Sequence, residues 1–129
     1  MKDLYSKVLD FTVTTAAIYK ELAESVKVET IEDLTVKEEY HGRKLAYGRI
    51  RDMLWNITWD EGENTFDLPS IKNFMHVSMC AFSEGIAELD AMPKSSSDIY
   101  KRSRLKGQIE AFFAVTILIR QEEAKQSKQ

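Results

Sequence analysis

The sequence contains only one cysteine, two prolines, five glycines and two histidines among its 129 residues. A single thiol cannot form an internal disulfide, so the chain is not a small disulfide-stapled protein and it suits a reducing compartment. Few prolines and glycines argue against an all-β domain, which needs many tight turns. Two histidines cannot supply a three-histidine metal site. These scarcities leave an α-helical domain as the first expectation.

Long apolar stretches and a strong net charge are also missing. No uncharged apolar run approaches the ~20 residues that span a bilayer, and the first residues lack the apolar segment of a secretory signal. The net charge of −3 provides no general attraction to nucleic acid or to an anionic membrane. We therefore expect a cytoplasmic protein without membrane association, formed by one domain over residues 1–129.

The chain does contain four segments with apolar residues at helical spacing. Apolar side chains recur every three or four positions over about 4–27, 36–58, 70–91 and 96–125. Two overlapping capping boxes, Thr30-x-x-Asp33 and Thr35-x-x-Glu38, compete for the start of the second helix. Four amphipathic helices with short connections predict an all-α, antiparallel four-helix bundle.

Glycines lie inside two of the predicted helices, where each costs about 1 kcal/mol relative to alanine. Gly42 and Gly48 belong to the second helix and Gly107 to the fourth. Gly42 and Gly48 either permit the close approach of a neighbouring helix, mark a bend, or are tolerated at the surface. Gly107 is a candidate bend in the fourth helix.

The longest apolar run, Ala111–Ile119, is rich in β-branched and aromatic residues, but the spacing of its surroundings predicts a helix. This helix is apolar on most of its circumference, so it is either central to the bundle or shared with a second copy of the chain. One apolar stripe is enough to close a four-helix monomer, and the excess favours the second copy. We therefore expect a homodimer or larger homo-oligomer that associates through the first and fourth helices. The predicted interface residues are Phe112, Phe113, Val115 and Leu118.

Three aromatic residues lie at the end of the second helix and in the acidic connection that follows. Trp55 and Trp59 are one helical turn apart, and Phe66 lies in the connection. Large aromatic side chains are common anchors of protein interfaces, although these rings could equally cap the end of the bundle. The first functional hypothesis is a small, non-enzymatic protein-binding module of the adaptor, inhibitor or assembly-factor type, which needs no cofactor.

A basic cluster at the start of the fourth helix gives an alternative hypothesis, the binding of a nucleotide or a nucleic acid. Basic side chains near a helix N-terminus can hold a phosphate together with the free backbone N–H groups. The opposing interpretation is a solvated patch that pairs with acids on neighbouring helices. The cluster consists of Lys101, Arg102, Arg104 and Lys106, and Arg43 and Arg51 of the second helix would assist it.

A metal-dependent hydrolase is the weakest hypothesis. Glu38-x-x-His41 places a carboxylate and an imidazole on one helical face, and Glu84 could supply a further carboxylate. Di-iron bundles use such a motif twice, whereas this chain has it once, so we predict no metal site and no enzymatic activity. Cys80 lies among apolar residues without a basic neighbour in the sequence, which favours a core position over a nucleophile.

Overall fold

The structure of the chain is a computed structural model that describes residues 2–60, 68–91 and 96–127. Within these ranges the side chains are described except at residues 2, 3, 57–60, 96, 97 and 126. Four helices account for nearly all of the described chain: α1 (Lys2–Ser25), α2 (Ile31–Asp60), α3 (Leu68–Ala91) and α4 (Ser96–Ser127). The described ranges contain no strand, so the prediction of an all-α four-helix bundle is confirmed.

The start of α2 lies at Ile31 rather than at the predicted Val36, because the first capping box forms. The Thr30 hydroxyl accepts the Asp33 backbone N–H at 3.1 Å, while the Asp33 carboxylate accepts the backbone N–H groups of Glu29 and Thr30 at 3.0 and 3.1 Å. These hydrogen bonds lower the pKa of Asp33, and the bond from the Glu29 N–H contributes most. Thr35 lies inside the helix, which therefore gains more than a turn.

The helices α2 and α4 form the centre of the molecule. α4 packs against α2 and α3 and also touches α1, while α1 packs mainly against α2. Ion pairs join Glu38 to Arg104 and Arg43 to Glu110, so α2 and α4 run in the same direction. The outer helices α1 and α3 flank this central pair and run opposite to the helices they cover. Other cross-helix contacts show this direction: Tyr5 with Leu54, Arg43 with Tyr19, Lys72 with Glu123, and Arg102 with Asp90.

The central helices cross through a pair of buried glycines. A Cβ atom on Gly42 would overlap the carbonyl group of Arg104, and a Cβ atom on Gly107 would overlap the carbonyl group of Glu39. Each carbonyl belongs to the residue three positions before the opposite glycine, so the two contacts are reciprocal. Gly42 and Gly107 therefore permit the close approach of two helix backbones, because neither carries a side chain.

Small residues continue this contact one turn further along each helix. Ala46 follows Gly42 by four positions and Ala111 follows Gly107 by four positions, and both alanines are fully buried. We call Gly42, Ala46, Gly107 and Ala111 the glycine crossing. Gly48 lies outside it, since a Cβ atom added there would have an Arg51 side-chain nitrogen at 4.0 Å as its nearest neighbour.

The apolar core is concentrated at one end of the molecule, where α1 and α3 begin and α2 and α4 approach their ends. Tilted ring contacts join aromatic residues on its side of α4, with the Phe112 ring centroid 5.6 Å from that of Phe82 and 5.7 Å from that of Phe74. At the opposite end the buried side chains include Ala23 and the polar Gln108. The buried apolar cluster consists of Leu4, Val8, Ala46, Tyr47, Ile50, Leu54, Leu68, Ile71, Met75, Ala111, Phe112, Val115 and Ile119.

The position of α4 corrects part of the predicted oligomer interface. Phe112 and Val115 are fully buried within one chain and cannot contact a second copy, and Leu118 is partly buried against the same core. The expectation chose a second copy over a central position in the bundle, whereas α4 contacts three helices of its own chain and buries more of its circumference there. Of the four predicted interface residues, Phe113 is the one that remains largely exposed, at 53%.

Candidate functional site

The aromatic surface predicted at the end of α2 is represented in the structure by Trp55. Its side chain is 53% exposed, and it takes part in no aromatic or cation–π pair within the described part of the chain. The Trp59 side chain and Phe66 lie outside the described residues. Arg51, one turn before Trp55, pairs at 3.1 Å with its neighbour Asp52, so the region around the indole carries both charges.

Other aromatic residues pack against one another, which distinguishes Trp55 from them. Tyr47 stacks on Tyr19 with 6.0 Å between the ring centroids, and Phe11 meets Tyr47 edge-on at 5.9 Å. Burial raises the pKa of Tyr47 to about 12, with Tyr19 adding to this shift and Arg43 opposing it. Tyr47 is therefore a neutral phenol at physiological pH and serves the core.

Arg43 was a candidate for anion binding, but its guanidinium group already joins three helices. It donates to the Tyr19 hydroxyl at 2.7 Å and to the Glu110 carboxylate, and it lies 3.5 Å from Glu39. The group also stands over the Tyr19 ring at 5.0 Å, close enough for a cation–π contact. Its side chain is 24% exposed. Arg43 thus acts as a structural tie between α1, α2 and α4.

The remaining basic candidates point to different helices rather than to one site. Arg104 pairs with Glu38 of α2 at 2.7 Å, whereas Arg102 pairs with Asp90 of α3 at 3.0 Å. Lys106 is 3.9 Å from Glu110 on its own helix. Lys101 is exposed and makes no ion pair with a described residue. This arrangement agrees better with the interpretation that the basic patch is balanced by acids on neighbouring helices.

The residues considered for metal chemistry do not assemble into a ligand set. Glu38 forms an ion pair with Arg104. Burial of the His41 ring lowers the pKa of His41, the charge of Arg104 lowers it further, and the charge of Glu38 opposes this shift. Within residues 2–60, 68–91 and 96–127, no group of three or more His, Cys, Asp or Glu side chains could hold a metal ion. Glu38, His41 and Glu84 are thus not brought together as a metal centre.

The predicted core position of Cys80 is wrong, because the side chain is exposed on α3. Its sulfur lies 3.7 Å from His76 Nε2, one helical turn away. The sequence interpretation considered only apolar neighbours and missed this i, i+4 relation. Both side chains are exposed.

The outside of α4 carries an apolar surface, of which only Phe113 was assigned to the oligomer interface from the sequence. Phe113 and Ile117, exposed by 53% and 36%, lie on successive turns, and Glu110 and Arg120 lie one turn before and after them. We call these four residues the α4 strip. The predicted oligomer interface grouped Phe113 with Phe112 and Val115, but the core is centred on the side of α4 opposite to Phe113 and Ile117. The spacing Glu110-x-x-Phe113-x-x-x-Ile117-x-x-Arg120 is the signal that could have revealed the strip.

A shallow groove of about 260 Å³ separates α3 from α4 next to this strip. Its floor is apolar and its rim carries a lysine, an imidazole and a guanidinium group. Lys72 at the rim is already paired with Glu123 at 2.8 Å. The main lining residues are Lys72, Met75, His76, Met79, Ile119 and Arg120.

Comparison of the chain with models of known protein families, with curated proteins and with solved structures gives no match. Of the helices in the described ranges, none combines the length and the apolar character needed to cross a membrane.

Proposed function

We propose that the protein is a non-enzymatic protein-binding module, of the adaptor, inhibitor or assembly-factor type, and that Trp55 contacts its partner. The observation that supports this proposal is the exposure of about half of the indole on the outside of a regular helix. Tryptophan combines a large apolar area with a polar N–H group, and it is enriched among the residues that dominate binding energy. A helix also holds the ring in place at a small entropic cost.

The charged residues that could otherwise support chemistry are used to hold the helices together. Glu38 and Arg104 join α2 to α4, and the Arg43 guanidinium joins Tyr19 to Glu110. A general acid or base needs a free side chain that can reach a substrate. The roles of these residues in the fold therefore favour a binding protein over a hydrolase.

The test is a quantitative comparison of partner capture by the wild type, Trp55→Ala and Val77→Ala. Val77 is an apolar residue on α3 with 54% exposure, so it is a matched control for Trp55. The captured partner is then purified, and its dissociation constant is measured with each variant. Trp55→Ala should raise this constant at least about tenfold, whereas Val77→Ala should leave it unchanged. Equal affinity of the two variants for the partner would refute the role of Trp55.

The nucleotide or nucleic-acid alternative predicts salt-sensitive binding that depends on Lys101, the candidate without an ion pair among the described residues. Fluorescence anisotropy with labelled RNA and thermal shift with nucleotides test it directly. Binding that weakens with salt and is lost in Lys101→Glu would favour this alternative. If neither RNA nor nucleotides bind, the protein-binding proposal is the better supported one.

A further inference from the structure

The α4 strip is self-complementary in the spacing and the charge of its residues. Its members Glu110, Phe113, Ile117 and Arg120 are spaced by three, four and three positions, an order that reads the same from either end. We propose that a second copy of this chain docks on the strip, with the two α4 helices antiparallel and related by a two-fold axis between Phe113 and Ile117. This proposal concerns a different helix from Trp55 and does not depend on the proposed function.

The antiparallel arrangement brings unlike residues together. Phe113 of one copy faces Ile117 of the other, and Glu110 of one copy faces Arg120 of the other. A two-fold axis repeats both contacts, as in isologous dimers. A parallel arrangement would place Arg120 against Arg120 and Glu110 against Glu110, which is unfavourable. The charges therefore select the antiparallel direction.

Both charged ends of the strip can accept the new contact. Arg120 is exposed and has no ion pair with a described residue. Glu110 uses its Oε2 atom for Arg43, while its Oε1 atom meets only Lys106 at 3.9 Å among those residues. The second oxygen is thus open to a guanidinium group from another copy. The bond to Arg43 also holds the carboxylate in position, which lowers the entropic cost of pairing.

The surroundings of the strip leave room for a second helix. α4 packs mainly against α2 and α3 and only touches α1, and the side of α4 away from the core carries Phe113, Ile117 and the exposed Arg120. Docking covers the two half-exposed apolar side chains in each copy. A single helix pair belongs to the small end of protein interfaces, so we expect an equilibrium between monomer and dimer rather than a permanent dimer.

Sedimentation velocity of the full chain over about 1 µM to about 1 mM tests the proposal, since this range covers the dissociation constants of such contacts. We expect the weight-average mass to rise from monomer towards dimer. Phe113→Ser should raise the dimer dissociation constant at least about tenfold. Val77→Ser, which changes a residue of equal exposure on α3, should not alter it. Circular dichroism confirms that each variant keeps its helical content.

Two further variants test the direction and register of the helices. Arg120→Glu places two carboxylates opposite each other and should weaken the dimer at least about tenfold. Ala124→Glu should strengthen it several-fold, because Lys106 of the other copy faces Ala124 only in the antiparallel register. The exposed Ala87 on α3 provides the control variant Ala87→Glu.

Three results would overturn the proposal: a monomer throughout the concentration range, a dimer that Phe113→Ser leaves intact, or a dimer that Arg120→Glu strengthens. If Trp55→Ala weakens the dimer and Phe113→Ser does not, the dimer forms through the surface around Trp55, and the proposal for the α4 strip is likewise rejected.

Discussion

The glycine crossing yields the sharpest stability prediction, because the same added methyl group should destabilise the protein at Gly42 and stabilise it at Gly48. In Gly42→Ala the added Cβ would overlap the carbonyl oxygen of Arg104 and would lie 2.9 Å from its carbonyl carbon. Backbone atoms in a helix cannot rotate away as a flexible side chain can. We take the cost of forced overpacking as about 3 kcal/mol, against a gain of about 1 kcal/mol from better helix propensity. The net expectation is a loss of about 2 kcal/mol.

Gly48→Ala is the matched control, since it makes the same chemical change in the same helix. The nearest heavy atom to the new Cβ is a side-chain nitrogen of Arg51 at 4.0 Å, an ordinary contact. Only the propensity gain then remains, so this variant should be more stable than the wild type by up to about 1 kcal/mol. The two alanine variants should therefore differ by about 3 kcal/mol.

Urea unfolding followed by circular dichroism measures this difference. For a slope of about 2 kcal/mol per molar urea, the midpoint should fall by about 1 M in Gly42→Ala and rise by about 0.5 M in Gly48→Ala. Gly107→Ala should behave like Gly42→Ala, and the double variant should lose less than the sum of the two, because both residues act at one contact. If Gly42→Ala is as stable as Gly48→Ala, the central helices do not approach as described.

Three further changes test other parts of the fold. Thr30→Ala removes the N-cap of α2 and should cost about 1 kcal/mol, whereas Thr35→Ala, inside the helix, should cost nothing; equal losses in urea midpoint would contradict the capping assignment. The hydrogen bond from Lys7 lowers the pKa of Glu122 in the folded protein. The ionised Glu122 therefore stabilises the fold above the unfolded-state pKa of about 4.3, and this stabilisation is lost as the pH falls through the lower folded-state pKa. Glu122→Gln should therefore flatten the decline in urea midpoint between about pH 5 and pH 3, and an unchanged profile would exclude this residue as a cause. Gln108→Met should stabilise the protein by about 1 kcal/mol in the same unfolding assay, because the Gln108 Oε1 atom is buried without a partner among the described residues; a loss of stability would imply that this oxygen is bonded.

Apolar periodicity in the sequence was sufficient to predict four helices, because each segment repeats its pattern over several turns. Periodicity could not decide the start of α2, where two capping boxes overlapped. The choice depended on whether Asp33 reaches back to the backbone N–H groups of Glu29 and Thr30, which it does. That is a geometric outcome of the turn before the helix.

The side of α4 that faces the core could not be derived from its own pattern. The helix is apolar around most of its circumference, and its buried side depends on which neighbours it has. Contact with three helices buries Phe112 and Val115 and turns Phe113 outward. The pairing of Gly42 with Gly107 was equally hidden, since the residues are distant in the chain, although each begins a Gly-x-x-x-Ala pattern.

The candidate surfaces differ in how well the sequence predicts their residues. Trp55 was identified from its residue type and its place beside a second tryptophan, and about half of its side chain is exposed. The basic cluster was identified by density in the sequence, but density does not show that Arg102 and Arg104 extend to acids on different helices. Long side chains on a helix can reach in several directions, and their partners decide which.

The uneven core implies that the two ends of the molecule open at different free energies. Ile50, Leu54 and Ile119 are surrounded by buried apolar side chains, whereas the end of α1 and the beginning of α2 contribute little besides Ala23. Regions with few buried apolar contacts undergo local unfolding at a lower free energy than the whole domain. Backbone amides near Ile50 and Ile119 should therefore exchange with deuterium only through global unfolding, while those near Ala23 exchange through local opening of the α1–α2 hairpin.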